Sequence, residues 1–272
     1  MNAVTKPQTL PAAPQTLMQR LLSALGLLQD ESQPPHMPWM AAVIGVGLAA
    51  LLFGVYRWYQ QVFSFSVGLD YFEQDFQTYW MTLLYAQGII ITLIGLVGAP
   101  LLWFTRPANP VMSPQRELSI YYAILAFMAV GSVILVAILG VYVEADAAWH
   151  QVTVRDTDFT PTHIGLFYFA IPLGAVGAIL GFILLHTRMP YFRNRVSIPL
   201  ALVVAAPVMI MPNLGLNECG HTFFYAEELF AAPIHWGFVV LGWGLFGIGG
   251  FMIQILQRIR ELTTIEAKSA TA

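Results

Sequence analysis

Long apolar runs separated by short polar stretches make up most of this chain. A helix needs about 20 consecutive apolar residues to cross the hydrocarbon core of a bilayer. By that measure the sequence predicts six spanning helices, at approximately residues 39–58, 80–104, 120–143, 164–186, 198–211 and 234–256. The pattern therefore predicts an all-α integral membrane protein, built as a bundle of about six transmembrane helices.

The fifth of these segments matches a spanning helix least well. It is short, Pro207 interrupts it and Pro212 follows it directly. Proline removes a backbone donor, and irregular backbone at membrane depth occurs only where protein or water surrounds it. A broken or partly re-entrant helix is therefore an open alternative to a spanning helix at this position.

The first 37 residues contain a short amphipathic stretch between proline-rich margins. Its leucines recur at helical spacing: Leu17, Leu21, Leu22, Leu25 and Leu28. A secretory signal would place its apolar core nearer Met1 and follow it with a small-residue cleavage site, so we expect an uncleaved start. The predicted organisation is a cytoplasmic segment with an interfacial helix (1–37), the transmembrane bundle (38–257) and a cytoplasmic tail (258–272).

Composition strengthens the assignment to the membrane. The 272 residues are 57% hydrophobic and 10% charged, with a mean hydropathy of +0.67, whereas soluble domains carry about 25% charged residues. Lipid must cover the apolar surface that a domain of this size cannot bury. Cys219 is the one cysteine, which excludes an intrachain disulfide framework and a cysteine-rich metal site. A metal would have to be held by histidine and by carboxylate or amide oxygen.

Basic and acidic residues occupy alternate connections between the predicted spans. Ten of the twelve basic residues precede the first span, lie in the second and fourth connections or follow the sixth span: Lys6, Arg20, Arg106, Arg116, Arg188, Arg193, Arg195, Arg258, Arg260 and Lys268. Because basic residues stay on the cytoplasmic side, both termini are predicted to be cytoplasmic. The acidic connections, together with four of the six histidines, are predicted to lie at the opposite face.

Two groups of polar residues at that opposite face share one spacing. The Asp146 group consists of Asp146, His150 and His163. The Asn217 group consists of Asn217, His221 and His235. In each group the first two residues are four apart, so they lie on one helical face, and the third residue opens the next predicted span.

These residue types suit copper or zinc. Neutral imidazole nitrogen binds both metals, an oxygen donor completes a set of three ligands, and a position left open can take dioxygen or substrate. A single histidine at a helix end is more often a hydrogen-bonded interface residue than a ligand, which is our interpretation of His36 and His186. Polar residues at membrane depth are nevertheless functional candidates, and the repeated spacing strengthens the metal hypothesis.

Four stretches of the sequence resemble one known family. They are GLDYFEQDFQTYWM (68–81), DAAWHQVTVRDTDFTPTHI (146–164), TRMPYF (187–192) and MPNLGLNECGHTFFYAEELFAAPIHWGFVVLGW (211–243). They resemble the C subunit of the copper membrane monooxygenases, which include particulate methane monooxygenase, ammonia monooxygenase and short-alkane enzymes. The similarity covers residues 55 to 255, with long motifs in a fixed order.

The resemblance implies two metal sites near the periplasmic face of a bacterial inner or intracytoplasmic membrane. It implies copper at the Asn217 group and copper, or zinc in its place, at the Asp146 group. It also implies partner subunits A and B in a trimer of heterotrimers, a quinol as electron donor, and oxygen insertion from O2 into a C–H bond or hydroxylation of ammonia. Membrane lipid and a small apolar substrate are the other expected partners, and nucleic acid is not.

The substrate and the reactive site are chosen on finer features. GLDYFEQDFQTYWM and RDTDFTP resemble methane- and alkane-oxidising members, whereas HWGFVVLGW resembles ammonia-oxidising ones, so we expect a hydrocarbon first and ammonia second. We expect oxidation at the Asn217 group, because it has an amide in place of a carboxylate and apolar neighbours. The Asp146 group, with three ionisable ligands, is then a resting metal store. Cys219 departs from the tryptophan common in the family, and we expect it to act as a small hydrophobe.

Two other functional classes remain open. The chain is a non-catalytic, metal-holding subunit if the chemistry takes place elsewhere in the complex. A transporter would show internal repeats whose broken helices meet at the membrane midplane, whereas the candidate ligands here collect at one face.

Overall fold

The computed structural model describes residues 16–31, 34–67, 69–149, 161–219 and 227–270. These residues form helices and no strand. In chain order the helices are α1 (Leu17–Ala24), α2 (Trp39–Phe63), α3 (Gln74–Phe76), α4 (Thr82–Phe104), α5 (Pro114–Trp149), α6 (Pro161–Gly165), α7 (Ile171–Arg188), α8 (Ile198–Cys219) and α9 (Glu227–Ala270). A π-helical segment, Gln77–Met81, joins α3 to α4, a second, Leu166–Ala170, joins α6 to α7, and a 3-10 turn, Pro190–Phe192, follows α7.

The first four predicted spans are confirmed. Helices long and apolar enough to cross a membrane occur at Trp39–Phe63, Gln74–Phe104, Pro114–Ile134 and Pro161–Arg188. Two of them contain a π segment without losing continuity, because i→i+5 bonds keep the backbone paired. The chain is therefore an all-α, multi-pass membrane protein.

The fifth predicted segment forms one continuous helix, so the alternative of a broken or partly re-entrant helix is not what the structure shows. Helix α8 runs unbroken from Ile198 to Cys219, through both Pro207 and Pro212. Proline is tolerated in membrane helices when neighbouring elements compensate for the lost backbone bond, and α8 packs along α9 more extensively than any other pair of described helices does. The sixth predicted span lies inside α9, which continues to Ala270 and so also includes most of the predicted tail.

The amphipathic stretch near the N-terminus forms α1, as predicted, although this helix has only eight residues. Its N-terminus is closed by a capping box: the Thr16 hydroxyl accepts from the backbone N–H of Gln19, and the Gln19 side chain accepts from the backbone N–H of Thr16. Gly26 stops the helix with a φ of 73°, a conformation that glycine adopts without strain. Leu17 and Leu21 are exposed, as an interfacial helix requires.

The buried side chains form two clusters. The Phe192 cluster joins α5, α7, α8 and α9 near the start of α5, and contains Leu118, Tyr121, Leu185, Met189, Phe192, Leu200, Phe251, Ile255 and Leu262. The Trp80 cluster joins α2, the first π segment and α6, and contains Tyr56, Phe76, Trp80, Met81 and Ile164. The Trp80 cluster surrounds the helix start that carries His163.

Helices α8 and α9 form an antiparallel pair that approaches closely through glycines. A Cβ atom built on Gly250 would meet Pro199, and one on Gly247 would meet both Pro199 and Leu202. A Cβ on Gly244 would lie 2.7 Å from the Cβ of Ala206. Successively earlier residues of α9 thus meet successively later residues of α8, and these contacts define the register of the antiparallel pair. Small residues of this kind allow membrane helices to pack backbone against backbone.

Candidate metal sites

The Asp146 group is divided between two described helices and a segment outside the described residues. Asp146 lies in the last turn of α5, and His163 is the third residue of α6. His150 lies outside the described residues. Helix α5 contacts α6, so the two described members of the group belong to helices that touch.

His163 occupies a dry environment. Its side chain is 6% exposed, and every residue of α6 is buried. The imidazole packs on Phe167 with a centroid separation of 4.8 Å. Apolar groups around this imidazole would exclude water from a metal bound there. The donor chemistry and surroundings of His163 therefore fit a metal ligand.

Two glutamines hold the turn that carries His163. The side-chain amide of Gln60 in α2 donates to the carbonyl of Pro161 at 2.6 Å, and that of Gln87 in α4 donates to the carbonyl of Ile164 at 2.8 Å. Tyr56 donates its hydroxyl hydrogen to Gln87 Oε1 at 3.1 Å. This network was not predicted from the sequence. The available signal was a glutamine within or beside an apolar span, where a polar group is costly and usually functional.

Both π segments border the same region. Trp80, in Gln77–Met81, is fully buried and donates its indole N–H to the carbonyl of Val67 at 3.1 Å. The second π segment follows α6 directly and supplies Phe167, the ring that contacts His163. π-Helical turns are rare and occur frequently at functional sites. Their position agrees with a site at this end of the bundle.

Two members of the Asn217 group, Asn217 and His235, are brought to one level by the register of α8 and α9. Asn217 lies eleven residues beyond Ala206 along α8, and His235 lies nine residues before Gly244 on the antiparallel α9. At 1.5 Å of rise per residue these offsets are about 16 Å and about 14 Å in the same direction. The two residues therefore lie at nearly the same height on neighbouring helices. His221 lies outside the described residues.

Among the side chains that the structure describes, no three His, Cys, Asp or Glu residues form a metal-binding cluster. Of the six predicted ligands, only His163 belongs to that set of side chains. The ligand assignments of the Asp146 and Asn217 groups therefore stay predictions.

His186 has a structural role, as predicted. Its Nε2 accepts from the backbone N–H of Ser197 at 3.1 Å, so Nδ1 carries the hydrogen and donates it to the carbonyl of Phe182 at 2.8 Å. The ring also stacks on Phe182 at 3.9 Å. Both nitrogens are occupied, which leaves neither for a metal. His36 is exposed, and its backbone N–H and carbonyl bond to the side chain of Gln29.

A buried ion pair fixes the other end of the bundle. Arg258 donates to both carboxylate oxygens of Glu117, at 2.9 and 3.0 Å, and Tyr121 donates to the same carboxylate at 3.1 Å. The hydrogen bond to Glu117 raises the pKa of Arg258 despite the opposing effect of burial, so the guanidinium remains charged. This contact ties the start of α5 to α9, far along α5 from Asp146.

Helical architecture, apolar spans and a buried histidine at the start of one span define an integral membrane protein with a candidate metal site at one end of its bundle. The chain belongs to the ammonia monooxygenase/methane monooxygenase family of C subunits, whose family model matches residues 29–266. A comparison with individually curated proteins gave no match. The protein is therefore one component of a membrane monooxygenase complex, an oxidoreductase, and the resemblance identified from the sequence is confirmed.

Proposed function

We propose that this chain is the C subunit of a copper-dependent monooxygenase that hydroxylates methane or another short hydrocarbon, with O2 as oxidant and a quinol as electron donor. Membership of the C-subunit family carries the proposal. Ammonia oxidation to hydroxylamine is the second candidate, favoured by the stretch HWGFVVLGW (235–243).

The residues proposed to hold metal are those of the Asp146 and Asn217 groups, with copper at both or zinc in its place at the Asp146 group. Bound copper would supply the activation of O2. The level placement of Asn217 and His235 supports the second set, and the burial of His163 supports the first. We place the oxidation at the Asn217 group, where the apolar residues Phe223, Phe224 and Trp236 are close in sequence and would exclude water.

An apolar groove lies between α4 and the start of α7 and has a volume of about 640 Å³. Its lining is mostly apolar and includes Ile89, Leu93, Tyr168 and Pro172. Tyr168 belongs to the π segment next to α6, so an apolar molecule held in this groove would lie near the helix that carries His163. The groove therefore concerns the Asp146 group, and the preference for a hydrocarbon substrate rests on the sequence stretches 68–81 and 155–161.

Partner subunits A and B, in a trimer of heterotrimers, are proposed to cover part of the exposed apolar surface. Phe246 on α9 is 82% exposed and its neighbour Leu245 is also exposed. Lipid would cover the rest. We place the complex in a bacterial inner or intracytoplasmic membrane, with both termini cytoplasmic and both metal groups toward the periplasm.

Substitution in the assembled complex tests the metal assignment. His163→Ala and His235→Ala should each lower the copper content per protomer, measured by mass spectrometry, and His235→Ala should also abolish turnover of methane or propane. His186→Gln is the matched control and should keep its copper, because both nitrogens of His186 already have partners. Retained turnover with lost copper in His235→Ala would instead favour a non-catalytic, metal-holding subunit.

The same preparations distinguish the substrates. A hydrocarbon oxidase should oxidise methane or propane faster than ammonia at equal concentrations. Faster production of hydroxylamine from ammonia would favour the second candidate.

A further inference from the structure

Gln60 and Gln87 bracket the turn that presents His163. They come from two different spanning helices, and each donates to a backbone carbonyl: Gln60 to Pro161 and Gln87 to Ile164. The two carbonyls lie on either side of Thr162 and His163. Both hydrogen bonds are buried; the Gln60 bond, at 2.6 Å, is short for an amide donor, and the Gln87 bond, at 2.8 Å, is within the ordinary range.

The orientation of both amides follows from their partners. A backbone carbonyl can only accept, so the NH2 group of each glutamine must face α6. The oxygen of Gln87 is held in turn by the hydroxyl of Tyr56, and the Tyr56 ring stacks on Phe169 at 5.5 Å. The Gln87 side chain is therefore fixed at both ends.

A glutamine side chain at position 60 carries an energetic cost, because it is buried. The side chain is 0% exposed, and among the described residues its Oε1 has no hydrogen-bond partner. A buried amide oxygen left without a partner destabilises a fold, and an apolar side chain of similar size would avoid that cost. The hydrogen bond that Gln60 donates to the Pro161 carbonyl gives a reason for a glutamine at this buried position.

We propose that Gln60 and Gln87 are positioning residues that hold the first turn of α6 against α2 and α4, and so keep the His163 imidazole in place for a metal. Metal sites commonly depend on an outer layer of hydrogen bonds that orients the ligands. Here that layer acts through the backbone of the ligand-bearing turn. The inference rests on the proposed role of His163 as a ligand.

The chain offers a matched control in Gln77. Its side-chain amide donates to the carbonyl of Tyr71 at 2.7 Å, which is the same kind of bond at the edge of the same Trp80 cluster. Its described hydrogen bond goes to Tyr71 and not to residues 161–165. Gln60→Met, Gln87→Met and Gln77→Met therefore each remove one bond from a glutamine amide to a backbone carbonyl at similar volume, and only the first two remove a bond to the turn of His163.

The test uses the assembled complex in lipid nanodiscs and has two readouts. Hydrogen exchange of a peptide covering 161–170 should rise by about threefold or more in Gln60→Met and Gln87→Met, the factor equivalent to the ~0.6 kcal/mol average of an inter-helix hydrogen bond in a membrane protein. In the same two variants, a lower concentration of a competing chelator should remove the copper than in the parent protein. Their Cu(II) EPR spectra should also differ from that of the parent. Gln77→Met should match the parent in both measurements.

The inference is overturned if Gln60→Met and Gln87→Met match Gln77→Met in copper retention and EPR spectrum, with or without a rise in exchange. His163→Ala then shows which step failed. If His163→Ala loses copper, the proposed metal site stands and the positioning role is wrong. If His163→Ala also keeps its full copper content, the fault lies in the proposed ligand.

Discussion

Gly247→Ala tests the close contact between α8 and α9. A Cβ atom at this buried position would stand 2.9 Å from the carbonyl oxygen of Pro199, 3.0 Å from the Cβ of Leu202 and 3.1 Å from the amide nitrogen of Val203. Two of these atoms belong to the backbone and cannot rotate away. The new methyl group must therefore push the helices apart.

The magnitude follows from comparison with Gly249→Ala. Alanine in place of glycine gains about 1 kcal/mol of helix propensity at either position. Among the described residues, no heavy atom outside the adjoining backbone of α9 lies within 4 Å of a Cβ built on Gly249, which is exposed. The propensity gain cancels between the two variants, so their difference in the free energy of unfolding isolates the overpacking cost, about 1–3 kcal/mol.

Thermal unfolding of the assembled complex in nanodiscs measures this difference. A change in the free energy of unfolding shifts the melting temperature by about 2–4 °C per kcal/mol in proteins of about 150–250 residues. On that scale, Gly247→Ala should melt several degrees below Gly249→Ala. Copper content should fall with it, because separation of the helices moves Asn217 away from His235. Equal melting temperatures would refute the close packing and, with it, the register that places these two residues level.

Three further predictions follow from the remaining contacts. Arg258→Met should destabilise the protein by about 3 kcal/mol, because it leaves the Glu117 carboxylate buried without its cation. In thermal unfolding, the double variant with Glu117→Met should recover part of this loss, and no recovery would argue against a direct pair. Trp80→Phe should cost about 1 kcal/mol through the lost bond to Val67, and an unchanged melting temperature would contradict that bond. His186→Leu should lower the melting temperature through its two lost hydrogen bonds, without change in copper content; lost copper would contradict its structural role.

The spans were predictable because apolar length alone decides whether a helix can cross a bilayer. Their ends were not: α2 continues to Phe63, five residues past the predicted end, and the second spanning helix begins at Gln74. Helix ends depend on caps and contacts that apolar length does not encode. Whether the fifth segment breaks near Pro207 could not be decided from the sequence for a similar reason, since local propensity does not reveal that α8 packs along α9.

The sequence limits the candidate sites to spacings along the chain. Asp146 and His150, like Asn217 and His221, are four residues apart, and the shared helical face that this spacing predicts stays a prediction because His150 and His221 lie outside the described residues. The level placement of Asn217 and His235 depends on which glycine of α9 meets which residue of α8, and no local pattern specifies that register. Gln60 and Gln87 were not predicted as functional residues. Apolar neighbours in the sequence do not show whether a side chain faces lipid or another helix, so the contact of both glutamines with α6 could not be predicted.

Anomalous X-ray diffraction at the copper absorption edge, on crystals of the intact complex, tests the two metal groups most directly. We expect one anomalous peak bonded to His235 and another bonded to His163, each within coordination distance, about 2.0–2.1 Å for a metal–imidazole bond. Absence of a peak beside both histidines in a complex that still oxidises its substrate would contradict the assignment of both groups.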